Sequence, residues 1–135
     1  MRRLLLMAIL AVGLGQAARA GDPAGAIRQV ISDQIAAFEA DDFATAFTFA
    51  SPGIRAMFGT PGRFGAMVRE GYPMVWRPGE VRFADLAERG GRTLQRVLVT
   101  DTAGVLYVLE YEMVEGEQGW RIDGVRVLEE GAAGA

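Results

Sequence analysis

The chain has 135 residues, and its composition excludes several kinds of active site. It contains no His, Cys or Lys, which rules out a Ser-His-Asp triad, a Schiff-base lysine, disulfide bonds and the usual ligands of zinc, copper and haem. The formal net charge is −3. Because no basic run is present, we expect no nucleic-acid partner, and because no EF-hand spacing is present, we expect neither a metal ion nor a cofactor.

Residues 1–20 have the pattern of a cleaved secretory signal peptide. Two arginines precede a short apolar run (4–15), and Ala18-Arg19-Ala20 is a small-x-small cleavage site. The apolar run is short for a membrane span, so we expect an exported protein, in the periplasm or secreted, without a stable membrane anchor. Removal of this segment leaves 11 basic and 17 acidic residues, a net charge of −6, which disfavours binding to anionic lipid.

Residues 21–130 are expected to form one domain, followed by a loose tail at 131–135. Apolar residues at helical spacing predict a long helix over 23–40 and two or three shorter helices between 43 and 71. Ser51-Pro52 and Thr60-Pro61 each combine an N-cap with a first-turn proline. Gly59 and Gly71 are the expected helix ends. The many Phe and Met residues of this half are predicted to be core, with cavity lining as the alternative.

The second half has the alternation of strands. Turn signals at 90–91, 101–104 and 115–119 separate four alternating segments that begin near Glu80, which predicts an antiparallel meander. The fold class is therefore α+β, with three to four helices packed on a curved four-stranded sheet.

Three stretches carry a family resemblance: QIAAFEADDFATAFTFASP (34–52), MVREGYPMVWRP (67–78) and GWRIDGVRV (119–127). The order of helices and strands resembles the nuclear transport factor 2-like superfamily, and the three stretches resemble its bacterial branch described as domain of unknown function 4864. The resemblance implies a cone-shaped fold with a pocket between helices and sheet. It implies no particular reaction, because this superfamily contains isomerases, dehydratases, non-catalytic binders and transport factors.

The stretch GYPMVWRP (71–78) joins the two halves and has two interpretations. Its prolines hold Tyr72 and Arg77 in extended geometry, as a chain needs when it leaves a helix for a sheet edge. The alternative is a ligand-binding lip at the mouth of the cone, formed by Tyr72, Trp76 and the guanidinium of Arg77. We name these three residues and Tyr111 as the candidate ligand-binding residues.

Carboxylates and tyrosines are the candidates for catalysis, because the superfamily's enzymes often use Asp and Tyr in an apolar pocket. A carboxyl group buried there has a raised pKa. The candidates are Asp85, Glu110, Glu112 and Asp123, with Tyr72, Tyr107 and Tyr111 as donors.

Simpler interpretations exist for each candidate carboxylate. Alternation places Glu110 and Glu112 on the face opposite Tyr111, and one register of the last hairpin pairs them with Asp123 and Arg121 respectively. A solvated outer face would account for both glutamates. Asp123 is expected to have a structural role. Arg96, like Arg77, is either a pocket-rim ligand for a carboxylate or phosphate, or a solvated arginine.

Two functions fit the sequence. The favoured one is an exported pocket domain that binds a small apolar or carboxylate-bearing molecule, or a protein partner, without catalysis; no catalytic residue is assigned. The alternative is a cofactor-free isomerase, dehydratase or hydrolase that uses an Asp/Tyr pair. A buried carboxylate within hydrogen-bonding distance of a tyrosine in the pocket wall would favour the enzyme.

The apolar segment 105–109 generates a prediction about assembly. Apolar residues on both faces of a strand indicate that both faces are covered, so we expect a homodimer through the outer face of the sheet. Sedimentation velocity of the chain without residues 1–20 at micromolar concentration should give the mass of a dimer. A monomer at that concentration would contradict the prediction.

Overall fold

The computed structural model describes residues 22–131, in which five helices precede four strands. The predicted signal peptide and positions 132–135 of the predicted loose tail lie outside the described residues. The helices are α1 (Pro23–Glu39), α2 (Phe43–Thr48), α3 (Pro52–Phe58), α4 (Pro61–Gly71) and α5 (Pro73–Trp76). The strands are β1 (Pro78–Arg89), β2 (Arg92–Asp101), β3 (Leu106–Gly116) and β4 (Gly119–Glu130).

The predicted helix starts are confirmed at the cap-proline pairs. The Ser51 hydroxyl accepts from the Ile54 amide at 3.2 Å, and the Thr60 hydroxyl accepts from the Arg63 amide at 3.2 Å. The proline that follows each cap needs no hydrogen-bond acceptor for its nitrogen in the first turn. Gly59 ends α3 with a φ of 83°, in the left-handed region that glycine adopts without strain.

The joint between the two halves contains a helical turn that the sequence does not predict. Tyr72 has φ −135° and ψ 55°, and Arg77 has φ −136° and ψ 72°. Both residues lie outside the α region, as a following proline requires, but neither has the extended geometry that the sequence predicts. Between them, the Tyr72 carbonyl accepts from the Val75 and Trp76 amides and closes α5. Gly71 is still helical, and Tyr72 rather than Gly71 caps α4.

The predicted meander is confirmed, with strand order β1-β2-β3-β4, all antiparallel, in an open and curled sheet. The predicted register of the last hairpin is wrong. Glu110 lies opposite Arg126, and Glu112 lies opposite Gly124. The turn pairs Gly116 with Gly119, and a bulge then inserts Asp123 between the partners of Met113 and Glu112. Each of these features moves the partners of β3 further along β4.

The helices cover one face of the sheet. Alternate residues of β2 and β3, such as Val97, Leu109 and Tyr111, are fully buried against them. Gly65 permits close packing within the helical layer, because a Cβ there would lie 2.6 Å from a ring carbon of Phe43. The helical side of the core includes Ile27, Ile31, Ile35, Phe38, Ala46, Phe64 and Val68.

The helical layer is joined to β4 by backbone and side-chain hydrogen bonds. Ala50 forms an isolated parallel bridge with Ile122. The Ser51 amide donates to the Ile122 carbonyl at 2.8 Å, and the Ser51 hydroxyl donates to the Asp123 carboxylate at 2.7 Å. Ser51 is 1% exposed. The extra residue of the bulge therefore fixes the start of α3, which is a structural contact of the kind expected for Asp123.

Replacing Ser51 by Ala should test this connection. The change removes a helix cap and leaves Asp123 without its hydroxyl donor, so we expect the free energy of unfolding to fall by about 1–3 kcal/mol. Thr60→Ala is the matched control, since it removes only an exposed cap and should cost about 1 kcal/mol. The free energies of unfolding of both variants are measured by urea denaturation, with circular dichroism as the signal. Equal losses in the two variants would show that the Asp123 contact adds nothing.

Candidate functional site

A cavity of about 240 Å³ lies between the helices and the sheet. Four helices (α1, α3, α4 and α5) and the strands β3 and β4 supply its wall. Met57 is 71% exposed and also lines the cavity, which places the opening beside α3. No acidic or basic side chain of residues 22–131 lies in this wall. Its apolar lining includes Phe38, Ile54, Phe58, Phe64, Met67 and Val68.

Three lining side chains carry polar groups. Gln34 is buried, and its amide nitrogen donates to the Ala46 carbonyl at 3.1 Å. The Tyr72 hydroxyl donates to the Val125 carbonyl at 3.0 Å. Tyr111 is fully buried, and its hydroxyl has no hydrogen-bond partner among residues 22–131. Tyr111 is therefore a lining residue whose hydrogen-bonding capacity is unused within the described protein.

Burial also strengthens the preference of Tyr111 for its neutral form. Removal from water disfavours the phenolate and raises the pKa of Tyr111 far above that of a free tyrosine, and the neighbouring Tyr72 adds to the shift. The side chain is a neutral phenol at physiological pH. It can donate one hydrogen bond and accept others, but it cannot supply a charge.

The structure separates the four candidate ligand-binding residues into two pairs. Tyr72 and Tyr111 line the cavity. Trp76 and Arg77 do not line it, and their polar groups are bound to Asp41, which follows α1. The Trp76 indole donates to Asp41 at 2.9 Å, and Arg77 donates to both of its carboxylate oxygens at 3.1 and 3.0 Å.

The contacts of Arg77 tie the joint to the end of α1. Its guanidinium lies 4.2 Å from the centre of the Trp76 ring and donates to the Phe38 carbonyl at 3.0 Å. Asp41 has a φ of 56°, which is uncommon for a residue other than glycine. The hydrogen bond from Trp76, followed by those from Arg77, lowers the pKa of Asp41. The joint interpretation thus accounts for Trp76 and Arg77.

The candidate carboxylates lie away from this cavity. Glu110 and Glu112 are on the opposite face of the sheet, as the alternation predicts, and Asp123 binds Ser51. The Tyr107 hydroxyl is 3.5 Å from Asp101, outside the cavity wall. Among residues 22–131, no cluster of three side chains suited to bind a metal ion is present.

Glu110 differs from the solvated residue that the sequence favours. Its side chain is only 3% exposed, because Arg89 from β1 and Arg126 from β4 cover it. Arg89 donates to one carboxylate oxygen at 3.0 Å, and Arg126 donates to the other. These hydrogen bonds, that of Arg126 first, lower the pKa of Glu110. Glu110 is therefore a paired anion and lacks the raised pKa of a general acid.

Sequence reasoning missed Gln34, although a signal for it exists. Gln34 is a polar residue directly beside Ile35, within the apolar stripe of α1. A buried glutamine in such a stripe indicates a nearby backbone acceptor or a cavity, and both are present.

Residues 22–131 thus form an α+β fold with an apolar cavity between its two layers. The model of the family described as Domain of unknown function (DUF4864) matches residues 21–135, and the chain belongs to this family. The family part of the resemblance seen in the sequence is confirmed. Comparison with curated proteins and with solved structures finds no match.

The two cavity tyrosines should respond oppositely to loss of the hydroxyl. Tyr111→Phe removes a buried hydroxyl without a partner, so we expect the free energy of unfolding to rise by about 1–3 kcal/mol. Tyr72→Phe removes the hydrogen bond to the Val125 carbonyl and should lower the free energy of unfolding by about 1 kcal/mol. Urea unfolding of both variants measures the difference. A loss of stability in Tyr111→Phe would show that this hydroxyl has a partner.

Proposed function

We propose that this chain is a non-catalytic binding domain for a small, mainly apolar molecule. The observation that carries the proposal is the 240 Å³ cavity with an apolar wall. An apolar cavity of about 150 Å³ is large enough to bind benzene, whereas pockets for drug-sized ligands range from about 300 to 1,000 Å³. The size supports a ligand with one ring or a short branched chain.

The charge of the wall favours one of the two small-molecule classes expected from the sequence. No arginine of residues 22–131 lines the cavity. A carboxylate inside it would lose its hydration without gaining a cationic partner, which is strongly unfavourable. The apolar class is therefore better supported, and a single hydroxyl or carbonyl group on the ligand could pair with the unused hydroxyl of Tyr111.

The alternative of a cofactor-free enzyme has less support. An Asp/Tyr mechanism needs a carboxylate in the pocket within reach of the substrate. The described carboxylates lie outside the cavity wall, and the buried Glu110 is paired with two arginines on the other face of the sheet. Tyr111 does not provide a base at neutral pH, since burial raises its pKa further above neutrality.

The proposal also includes the wider relationship, the export and the self-association expected from the sequence. Helices followed by a meander, with a cavity between the two layers, support a relationship to the nuclear transport factor 2-like superfamily. The pattern of residues 1–20 supports export to the periplasm. No helix of residues 22–131 is long and apolar enough to cross a membrane. The apolar segment 105–109 supports the homodimer.

Binding of small aromatic probes tests the proposed function. Titration with toluene and with p-cresol, followed by ¹H–¹⁵N NMR, should shift the resonances of residues that line the cavity. Ala50 is 1% exposed and lines the cavity, so Ala50→Leu should fill space and weaken both probes about tenfold, which corresponds to about 1.4 kcal/mol. Ala44→Leu is the matched control, because Ala44 lies exposed on α2.

Two outcomes would count against the proposal. Unchanged affinity in Ala50→Leu, or shifts scattered over the surface, would show that the probes bind elsewhere. The proposed contact between the Tyr111 hydroxyl and a polar group of the ligand is tested separately. Tyr111→Phe should lower the affinity for p-cresol more than the affinity for toluene. Native mass spectrometry of protein purified from its own source should then reveal a retained molecule of similar size.

A further inference from the structure

A second, smaller cavity of about 130 Å³ lies on the face of the sheet away from the helices. Its wall includes Leu94 and Arg96 from β2 and Glu110 from β3. These residues alternate along their strands with the core residues Gln95, Val97 and Tyr111, which places them on the outer face. The small cavity is therefore separated from the apolar cavity by the sheet.

Arg96 in this cavity has a buried donor that is not used within the described part of the chain. Its Nε atom is buried and has no partner among residues 22–131. Arg96 lies directly opposite Glu110 in the β2–β3 register, yet Glu110 is bonded to other residues. One of its carboxylate oxygens accepts from Arg89 and the other from Arg126. A desolvated guanidinium N–H without an acceptor is costly, so an acceptor brought to this position would stabilise the side chain.

The charges around the cavity favour an anion as that partner. Two arginines (Arg89 and Arg96) and two carboxylates (Asp85 and Glu110) line it, and Arg126 adds a third cation through its bond to Glu110. Arg89 and Arg126 together neutralise the buried carboxylate of Glu110. Asp85 is exposed to water. The guanidinium of Arg96 is thus the cation of this wall with no anionic partner among residues 22–131.

We propose that the outer-face cavity binds a small oxyanion, the carboxylate or phosphate group of a small molecule, with the Arg96 guanidinium as its main ligand. Two parallel N–H donors of a guanidinium match two oxygens of a carboxylate or phosphate. The volume equals that of about four water molecules at about 30 Å³ each, which fits one such group. Arg89, held by Glu110, is placed to approach the same anion.

Side-chain NMR of arginine provides a direct test. The Nε–Hε resonances of the ¹⁵N-labelled protein are followed at neutral pH during titration with sodium acetate and, separately, with sodium phosphate. Sodium chloride at equal ionic strength is the control. The Arg96 resonance should shift saturably with at least one oxyanion and not with chloride. If acetate binds more tightly than phosphate, the ligand group is a carboxylate; if phosphate binds more tightly, it is a phosphate.

Three variants make the test specific. Arg96→Gln should weaken the oxyanion by about tenfold or more, since the bidentate fork is lost, and Arg96→Lys should weaken it while keeping the charge. Arg82→Gln is the matched control, because Arg82 is an exposed arginine on the same sheet face and lines neither cavity. It should leave the affinity within about twofold.

The outcomes that would overturn the inference are distinct from those for the apolar cavity. Absence of a saturable shift at Arg96, or equal weakening in Arg96→Gln and Arg82→Gln, would leave only non-specific charge attraction. A second copy of the chain could instead supply the acceptor. If Arg96→Gln weakens self-association in sedimentation while oxyanions leave Arg96 unchanged, the inference is wrong. Toluene affinity should be the same in Arg96→Gln and in the unsubstituted protein. A failure of the oxyanion test would therefore leave the proposed function of the apolar cavity unaffected.

Discussion

The attachment of β4 to the helical layer is the constraint on which the rest of the structure depends. β4 is an edge strand with one neighbour in the sheet. Its free edge is bonded to the segment 49–51 through the backbone of Ile122, and the Val125 carbonyl accepts from Tyr72. These contacts hold the helices at a fixed distance from β4 and leave the apolar cavity between them. They also satisfy backbone groups that an open edge would expose to other chains.

β3 shows how one central strand serves two different surfaces. Leu109 and Tyr111 point into the helical core, whereas Glu110 between them points to the outer face. Burial alone raises the pKa of both ionisable residues, but their partners differ. Tyr111 has no charged partner and stays neutral, while Glu110 is held ionised by two arginines. Successive side chains of β3 point to opposite faces of the sheet, so one strand contributes to an apolar, uncharged cavity on one face and to a charged cavity on the other.

Local signals in the sequence predicted the parts of the fold that depend on local physics. Ser51-Pro52 and Thr60-Pro61 define helix starts, because a cap hydroxyl and a first-turn proline act within four residues. The register of the last hairpin was not predictable in this way, because it depends on the turn that pairs Gly116 with Gly119 and on the bulge at Asp123, whose carboxylate accepts from a hydroxyl 72 positions away in the chain. The burial of Glu110 depends on arginines from two other strands. Of the candidate site, the sequence identified Tyr72 and Tyr111, but the engagement of Arg77 by Asp41 needs a contact across 36 positions.

The placement of the two tryptophans decides what intrinsic fluorescence can report. Trp76 is fixed to Asp41 at the joint, and Trp120 lies at the start of β4. Neither lines the apolar cavity, whereas two of the three tyrosines do. Tryptophan emission will therefore follow unfolding of the joint and of the last hairpin, and it will be a poor indicator of cavity occupancy. Tyrosine emission, or energy transfer from tyrosine to tryptophan, is the optical signal that the architecture connects to a molecule inside the cavity.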